Sequence, residues 1–153
     1  MCRILIIYHS QAGHTERMAM SVAAGARAVQ DVDVVVKRAF EAALQDLIDC
    51  DGIAIGSPEY FGYMCGMIKD FFDRTYEGGR GRKEVFKKPY VTFISAGNDG
   101  MGALGSIERI CIGYQFKKVY DPVVSKGEID RRTIEKCEEL GKTLAAGCEA
   151  GIY

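Results

Sequence analysis

The segment ILIIYHSQAGHTE, residues 4–16, decides how this chain is interpreted. Its first four residues, Ile4-Leu5-Ile6-Ile7, form an apolar run that predicts a strand buried on both faces. A polar loop with one glycine follows, and an amphipathic helix is predicted from Thr15. Because the first N–H groups of a helix have no intrahelical partner, a junction of this kind makes an anion site.

The polar loop carries several groups that can bind one phosphate. The hydroxyls of Ser10 and Thr15, the amide of Gln11 and the backbone N–H groups can converge on a single anion. The loop has no lysine, and it matches neither the Walker A loop nor G-x-G-x-x-G. An ordinary strand–helix turn, with Thr15 as the helix cap, is the alternative interpretation.

Composition predicts one globular domain over residues 1–153 and excludes several kinds of partner. The net charge is −1, from 20 basic and 21 acidic residues, so we expect no nucleic-acid and no membrane partner. No apolar run approaches the ~20 residues of a membrane span. The six cysteines form no C-x-x-C pair and no signal peptide precedes the first strand, which predicts a cytoplasmic protein with reduced thiols.

Strand and helix patterns alternate along the chain. Strands are predicted at residues 2–8, 32–36, 53–55, 90–94 and 118–120, the last extending towards 124, and helices at 15–29, 41–48, 64–76, 104–113 and from Asp130, its N-cap. This alternation predicts an α/β fold, a doubly wound five-stranded parallel sheet of order 2-1-3-4-5 with helices on both faces.

Ligands of such sheets bind where the strand order reverses, here between the first and third strands with the fourth alongside. Three loops leave these strands, at residues 8–16, 56–63 and 95–102. The second loop contains Pro58, three aromatic residues and Gly62, so Tyr60 or Phe61 can lie against a flat ring. An aromatic cap over the core is the alternative there. The third loop is glycine-rich, which fits either a ligand edge or a flexible turn.

Taken together, the three loops predict a ligand with both a phosphate and a planar heteroaromatic system. The motifs resemble those of the flavodoxin-like FMN proteins, particularly the NAD(P)H-dependent FMN reductase and WrbA-type quinone oxidoreductase group. Ser10, Gly13 and Thr15 match the flavodoxin phosphate motif [ST]-x-[ST]-G-x-[ST], although Ala12 replaces its second hydroxyl residue. The segment GSPEYFGYM, residues 56–64, is similar to the Gly-Ser-Pro-x-Tyr-Phe-Gly-Asn-Met segment of the WrbA-type group.

The resemblance implies an FMN site in which residues 10–15 hold the phosphate, 58–62 line one edge of the isoalloxazine and 95–100 lie opposite. The cofactor-binding residues it implies are Ser10, Gln11, Ala12, Gly13, His14, Thr15, Pro58, Glu59, Tyr60, Phe61, Gly62, Ser95, Ala96, Gly97, Asn98 and Gly100. It further implies NAD(P)H as electron donor, a small-molecule acceptor such as a quinone or flavin, and no catalytic side chain, because the flavin carries the chemistry. No metal site is expected. A homodimer covering the flavin edge is expected, since one domain leaves that edge exposed.

The chain departs from the WrbA-type pattern at particular positions. It lacks that group's inserted segment before the last strand, which puts tetramer formation and quinone reduction in question. Tyr63 replaces an Asn, and Glu59 brings a carboxylate that either lowers the flavin potential or points to solvent.

Other functions remain open from sequence alone. A flavodoxin-type electron carrier usually has a strongly acidic face, which the balanced charge does not favour. A flavin-binding redox sensor and a nucleotide-binding protein without flavin are further alternatives. A response-regulator receiver domain is disfavoured because His9-Ser10 and Gly56-Ser57 stand where that fold needs acidic residues.

Overall fold

A computed structural model describes all 153 residues and confirms the doubly wound α/β fold. The strands are β1 Cys2–Tyr8, β2 Val32–Arg38, β3 Gly52–Tyr60, β4 Tyr63–Met64, β5 Pro89–Ala96, β6 Lys117–Lys118 and β7 Val123–Lys126. The helices are α1 His14–Arg27, α2 Leu44–Asp49, α3 Gly66–Gly79, α4 Met101–Gly113 and α5 Arg131–Glu149, with a 3₁₀ turn at Ala39–Glu41.

The sheet has the predicted order at its centre, β2-β1-β3-β5, with every one of these pairs parallel. Residues 4–7 of β1 are at most 1% exposed, as expected for a strand covered on both faces. Side chains alternate along the strands, so Leu5 and Ile7 pack towards α3 and α4, while Ile4 and Ile6 pack towards α1 and α5. Two apolar layers therefore enclose the sheet.

The fifth predicted strand is divided into two short strands. β6 pairs with the start of β5 and β7 with its end, so both occupy the same edge position. The Val119 N–H still donates to the Tyr90 carbonyl, but residues 120–122 leave the ladder, although the apolar pattern there favoured one strand. The predicted order of positions across the sheet is therefore confirmed. The predicted number of strands, five, was wrong, because the sheet has seven.

β3 is longer than predicted and ends in a hairpin. It continues to Tyr60 and turns back through Phe61-Gly62 into β4. Pro58 is tolerated in this strand because β1 has already ended beside Gly56, so no neighbour on that side needs the missing N–H. The prediction that β3 stops at Ile55 was wrong.

Several helix boundaries also differ from the predicted ones. The predicted helix 41–48 is a 3₁₀ turn followed by α2; α3 starts at Gly66 rather than Met64, and α4 starts at Met101 rather than 104. Asp130 caps α5 as predicted, with its Oδ1 accepting from the Thr133 N–H at 2.8 Å. No helix is both long and apolar enough to cross a membrane.

Candidate functional site

The three predicted loops meet at the carboxyl ends of β1, β3 and β5. They enclose a cavity of about 400 Å³ lined by Ser10, Gln11, Ala12, His14, Thr15, Pro58, Glu59, Tyr60, Ser95, Ala96, Gly97 and Gly127. All of these residues except Gly127 were predicted for the site. Gly127 was missed because it follows β7, the half-strand that the sequence pattern did not separate. We call this space the crevice.

Five predicted residues do not line the crevice. Gly13 lies at the N-cap of α1 and Gly100 at the N-cap of α4. Gly62 and Asn98 line a neighbouring cavity of about 470 Å³ that shares Glu59 with the crevice. Phe61 stands at the tip of the hairpin, fully exposed. Cofactor contact by these five residues stays a prediction.

The first loop is built as an anion cradle. Gly13 has φ +98°, a left-handed conformation that few residues other than glycine adopt, and its N–H donates to Ser10 Oγ at 3.1 Å. No side chain caps α1, so the first-turn N–H groups are not used by the protein. Thr15 is the second residue of the helix, so its interpretation as the cap was wrong.

The hydroxyl of Thr15 points beneath the loop towards the third loop. Thr15 Oγ1 and Ser95 Oγ are 2.7 Å apart, and the two residues are 1% and 5% exposed. This hydrogen bond joins the start of α1 to the end of β5, two segments 80 residues apart in the chain.

Arg38 brings a guanidinium to the loop and pairs it with the Glu16 carboxylate in the first turn of α1. It ends β2 directly beside Tyr8, and its guanidinium donates to the Ser10 carbonyl at 3.3 Å and to Glu16 Oε2 at 2.8 Å. The same guanidinium lies 5.2 Å from the centre of the Tyr8 ring. Burial, and then the nearby Arg38 charge, lower the pKa of His9 below its usual value. Arg38 was not predicted from the sequence as a residue of this site. It could have been, because the parallel strands β1 and β2 end at the same edge of the sheet.

The second loop is a tight hairpin around Phe61-Gly62. These residues have φ +54° and +69°, and the flanking pair Tyr60 and Tyr63 are opposite each other in the ladder. Tyr60 O–H donates to Gln11 Oε1 at 2.9 Å, so the hairpin is bonded to the anion loop across the crevice. The Tyr60 ring also meets the His9 ring edge-on at 6.4 Å.

The hairpin is fastened on its other side to the start of α4. Glu59 Oε2 accepts from the Ala103 N–H at 3.1 Å, and Ser106 Oγ accepts from the Met64 N–H at 3.1 Å. A Cβ on Gly102 would lie 2.0 Å from the Gly62 carbonyl oxygen, so only glycine permits this approach. The Glu59 carboxylate therefore borders the crevice and does not extend freely into solvent.

The thiol nearest the second loop is not a reactive group. Cys65 is 1% exposed, and burial raises the pKa of its thiol above the ordinary value. It packs in the apolar layer under α3 and α4. A structural role follows.

Comparison with known proteins assigns the family. Residues 29–111, more than half of the chain, match the family described as NADPH-dependent FMN reductase. A curated flavodoxin from Aquifex aeolicus (strain VF5) is 32% identical, over 95% of this chain and 86% of that protein. The chain belongs to the flavodoxin-like FMN-binding family.

Solved structures agree with this family at the level of the fold. An archaeal flavodoxin has a TM-score of 0.84 at 24% identity and covers 96% of this chain and 99% of its own. A WrbA-like flavodoxin from Agrobacterium tumefaciens has a TM-score of 0.83 at 20% identity, with 98% and 99% covered.

The crevice of this flavodoxin-like protein fits FMN. Uncapped N–H groups of α1 and the Ser10 and Thr15 hydroxyls suit the phosphate, and Arg38 lies behind the loop in an ion pair with Glu16. Pro58 and Tyr60 give an apolar and aromatic wall on the β3 side. Backbone at Ser95 to Gly97 borders the opposite side.

Proposed function

We propose that this protein is an FMN-dependent oxidoreductase that takes electrons from NAD(P)H and passes them to a small acceptor such as a quinone or another flavin. The supporting observation is the polar cavity of about 470 Å³ next to the crevice. It adjoins the hairpin that faces the flavin, and it offers room for part of a second small molecule. The family description, which names an NADPH-dependent reductase, agrees with this proposal.

The protein's part in the reaction is binding and orientation. Bound FMN supplies the hydride and electron chemistry. Residues 10–15 bind the phosphate, and Tyr60 on its tethered hairpin lies against the ring system. The carboxylate of Glu59 lies at the boundary of the two cavities. Lys126 also lines the second cavity, where it can attract a phosphate of the reductant.

An anaerobic absorption spectrum tests the proposal. Protein reconstituted with FMN is titrated with NADH, with NADPH and finally with dithionite. Bleaching of the visible flavin bands by a pyridine nucleotide within seconds supports the reductase. If the flavin binds but only dithionite bleaches it, the reductase proposal is wrong.

A flavodoxin-type electron carrier is the second candidate, and the surface around the hairpin favours it. Phe61 and Tyr63 in the hairpin and Met101 at the start of α4 are exposed by 107%, 43% and 50%. Exposed apolar residues beside a redox site suit a transient protein partner. The curated relative is named a flavodoxin. Reduction by a flavoprotein reductase, without reduction by free NAD(P)H, would support the carrier.

The same exposed surface leads us to propose a homodimer. Pairing of two hairpins would cover Phe61 and the flavin edge together. Analytical ultracentrifugation with and without FMN measures the mass, and a monomer at 100 μM protein would exclude the dimer. We also propose a cytoplasmic location, in keeping with the absence of paired cysteines.

A further inference from the structure

Two serine–threonine pairs lie side by side beneath the sheet edge. Ser95 of β5 and Ser125 of β7 are partners in the ladder, and they are 5% and 4% exposed. Each serine faces a threonine near the start of a helix, Ser95 facing Thr15 of α1 and Ser125 facing Thr133 of α5. Only the first pair borders the crevice.

The two pairs differ in their hydrogen bonding. The oxygens of Thr15 and Ser95 are 2.7 Å apart, the usual distance for O–H···O, whereas those of Ser125 and Thr133 are 3.4 Å apart. Thr15 is therefore firmly bonded to Ser95. The threonine of the second pair is held mainly by its backbone N–H, which donates to Asp130.

A hydroxyl has one proton and can accept two hydrogen bonds. If Thr15 donated its proton to Ser95, it would have no donor left for an anion above it. If Ser95 donates, Thr15 accepts and its own proton is free to turn towards the phosphate. A bound phosphate has only acceptor oxygens at neutral pH in this role, so it selects the second arrangement.

We propose that Ser95 is a positioning residue for the FMN phosphate, because its hydroxyl donates to Thr15 and thereby directs the Thr15 proton at a phosphate oxygen. This inference rests on the proposed FMN binding. Ser95 acts through Thr15, and both hydroxyls are held in place by burial under the anion loop.

The test compares FMN with riboflavin, which has the same ring and sugar chain but no phosphate. Dissociation constants are measured by quenching of flavin fluorescence for wild type, Ser95→Ala and Ser125→Ala. Loss of one hydrogen bond to a charged group weakens binding by about tenfold or more. We expect that loss for FMN with Ser95→Ala, no change for riboflavin, and no change for either flavin with Ser125→Ala.

Thr15→Val separates positioning from direct contact. If Ser95 acts through Thr15, adding Ser95→Ala to Thr15→Val weakens FMN binding little further, since the effects of coupled residues are not additive. If Ser95→Ala weakens FMN binding by the same factor in wild type and in Thr15→Val, Ser95 contacts the ligand directly. That result would overturn the inference. Thermal melts of each variant establish that it is folded.

The remaining outcomes are also decisive. If Ser95→Ala weakens FMN and riboflavin equally, Ser95 has only a structural role and the inference is wrong. Equal losses from Ser95→Ala and Ser125→Ala lead to the same conclusion. If wild type binds neither flavin, the proposed function fails and this inference fails with it. If wild type binds FMN while Ser95→Ala is indistinguishable from it, only the inference fails.

Discussion

The carboxylate of Glu59 in the hairpin accepts a hydrogen bond from the backbone N–H of Ala103, 3.1 Å away in the first turn of α4. The N-cap of α4 is Gly100, which has no side chain to cap the helix, so Glu59 satisfies the Ala103 N–H from a distant part of the chain. The positive end of the helix dipole stabilises the carboxylate there. One side chain thus fixes the hairpin and places a charge beside the crevice.

Replacing Glu59 should change both stability and redox potential. Glu59→Ala removes the bond to α4 and should lower the free energy of unfolding by about 1 kcal/mol, as for a lost helix cap. Glu59→Gln keeps an accepting oxygen and should retain most of that stability. Both variants should raise the flavin midpoint potential by the equivalent of about 1 kcal/mol, because a negative charge disfavours the reduced state.

Urea unfolding and spectroscopic redox titration of the FMN-loaded protein measure these two effects. Glu84→Gln is a suitable control, since Glu84 is exposed at the opposite end of the sheet, before β5. A potential that is the same in wild type and Glu59→Gln would show that the carboxylate does not act on the flavin.

Thr92 gives a prediction about stability alone. Its hydroxyl is the one buried side-chain oxygen without a hydrogen-bond partner, and the residue is 2% exposed in β5. Thr92→Val replaces that hydroxyl with a methyl group of similar shape. We expect a gain of about 1 kcal/mol in unfolding free energy, since an unsatisfied buried group costs roughly that much.

Thr75→Val is the matched comparison for Thr92→Val. The Thr75 hydroxyl is equally buried, but it donates to the Phe71 carbonyl at 2.8 Å and lies 2.8 Å from the Tyr114 hydroxyl. We expect a loss of about 1–2 kcal/mol there. Urea denaturation of both variants checks the pair, and a loss with Thr92→Val would mean that its hydroxyl is bonded in solution.

The sequence predicted those parts of the fold that depend on local pattern. The apolar run at 4–7, the helix after it and the Asp130 cap each follow from neighbouring residues, and each was found. The crevice was predicted because parallel strands end at one sheet edge, which brings their loops together whatever the loops contain.

The features that sequence reasoning missed depend on contacts between distant segments. Arg38 reaches the anion loop because β2 pairs with β1 in a register that places Arg38 opposite Tyr8. The hairpin at Phe61-Gly62 lacks the Asn-Gly signal of such turns. The Ser95–Thr15 bond joins residues 80 positions apart, so no local pattern could indicate it.

His9 should make the protein less stable in mild acid. Burial and Arg38 lower its pKa in the folded state, so the unfolded chain binds the proton more readily. The contribution of neutral His9 to the free energy of unfolding is complete above the pKa of about 6.5 that His9 has in the unfolded chain. It is lost as the pH falls through the lower pKa that His9 has in the folded protein. Because His9 is only half-buried, we expect an effect well below about 1 kcal/mol.

Urea unfolding at a series of pH values from 7.5 to 5 measures the effect of His9. The comparison is between wild type, His9→Gln and His14→Gln, the last altering the other histidine of the same loop. The unfolding free energy of His9→Gln should fall less steeply with acid than that of wild type. Identical slopes in the two proteins would show that His9 contributes nothing.

Phe61 holds a backbone conformation that suits it poorly. Its φ of +54° is left-handed, which costs a residue other than glycine about 1–2 kcal/mol, and its side chain is fully exposed. Phe61→Asn supplies the residue favoured at the first position of this turn, so we expect unfolding free energy to rise by about 1 kcal/mol. Phe40→Asn, at another exposed phenylalanine, should give no such gain.

Backbone strain of this kind is concentrated at functional sites. The exposed Phe61 side chain contributes little to the stability of the fold. Its function would then be to contact an electron-transfer partner or a second copy of the protein. Phe61→Asn should therefore be more stable than wild type and, when both proteins are saturated with FMN, slower in electron transfer to a protein partner. Stopped-flow measurement of that transfer decides the point. Equal rates would leave the exposed ring without a role in partner contact.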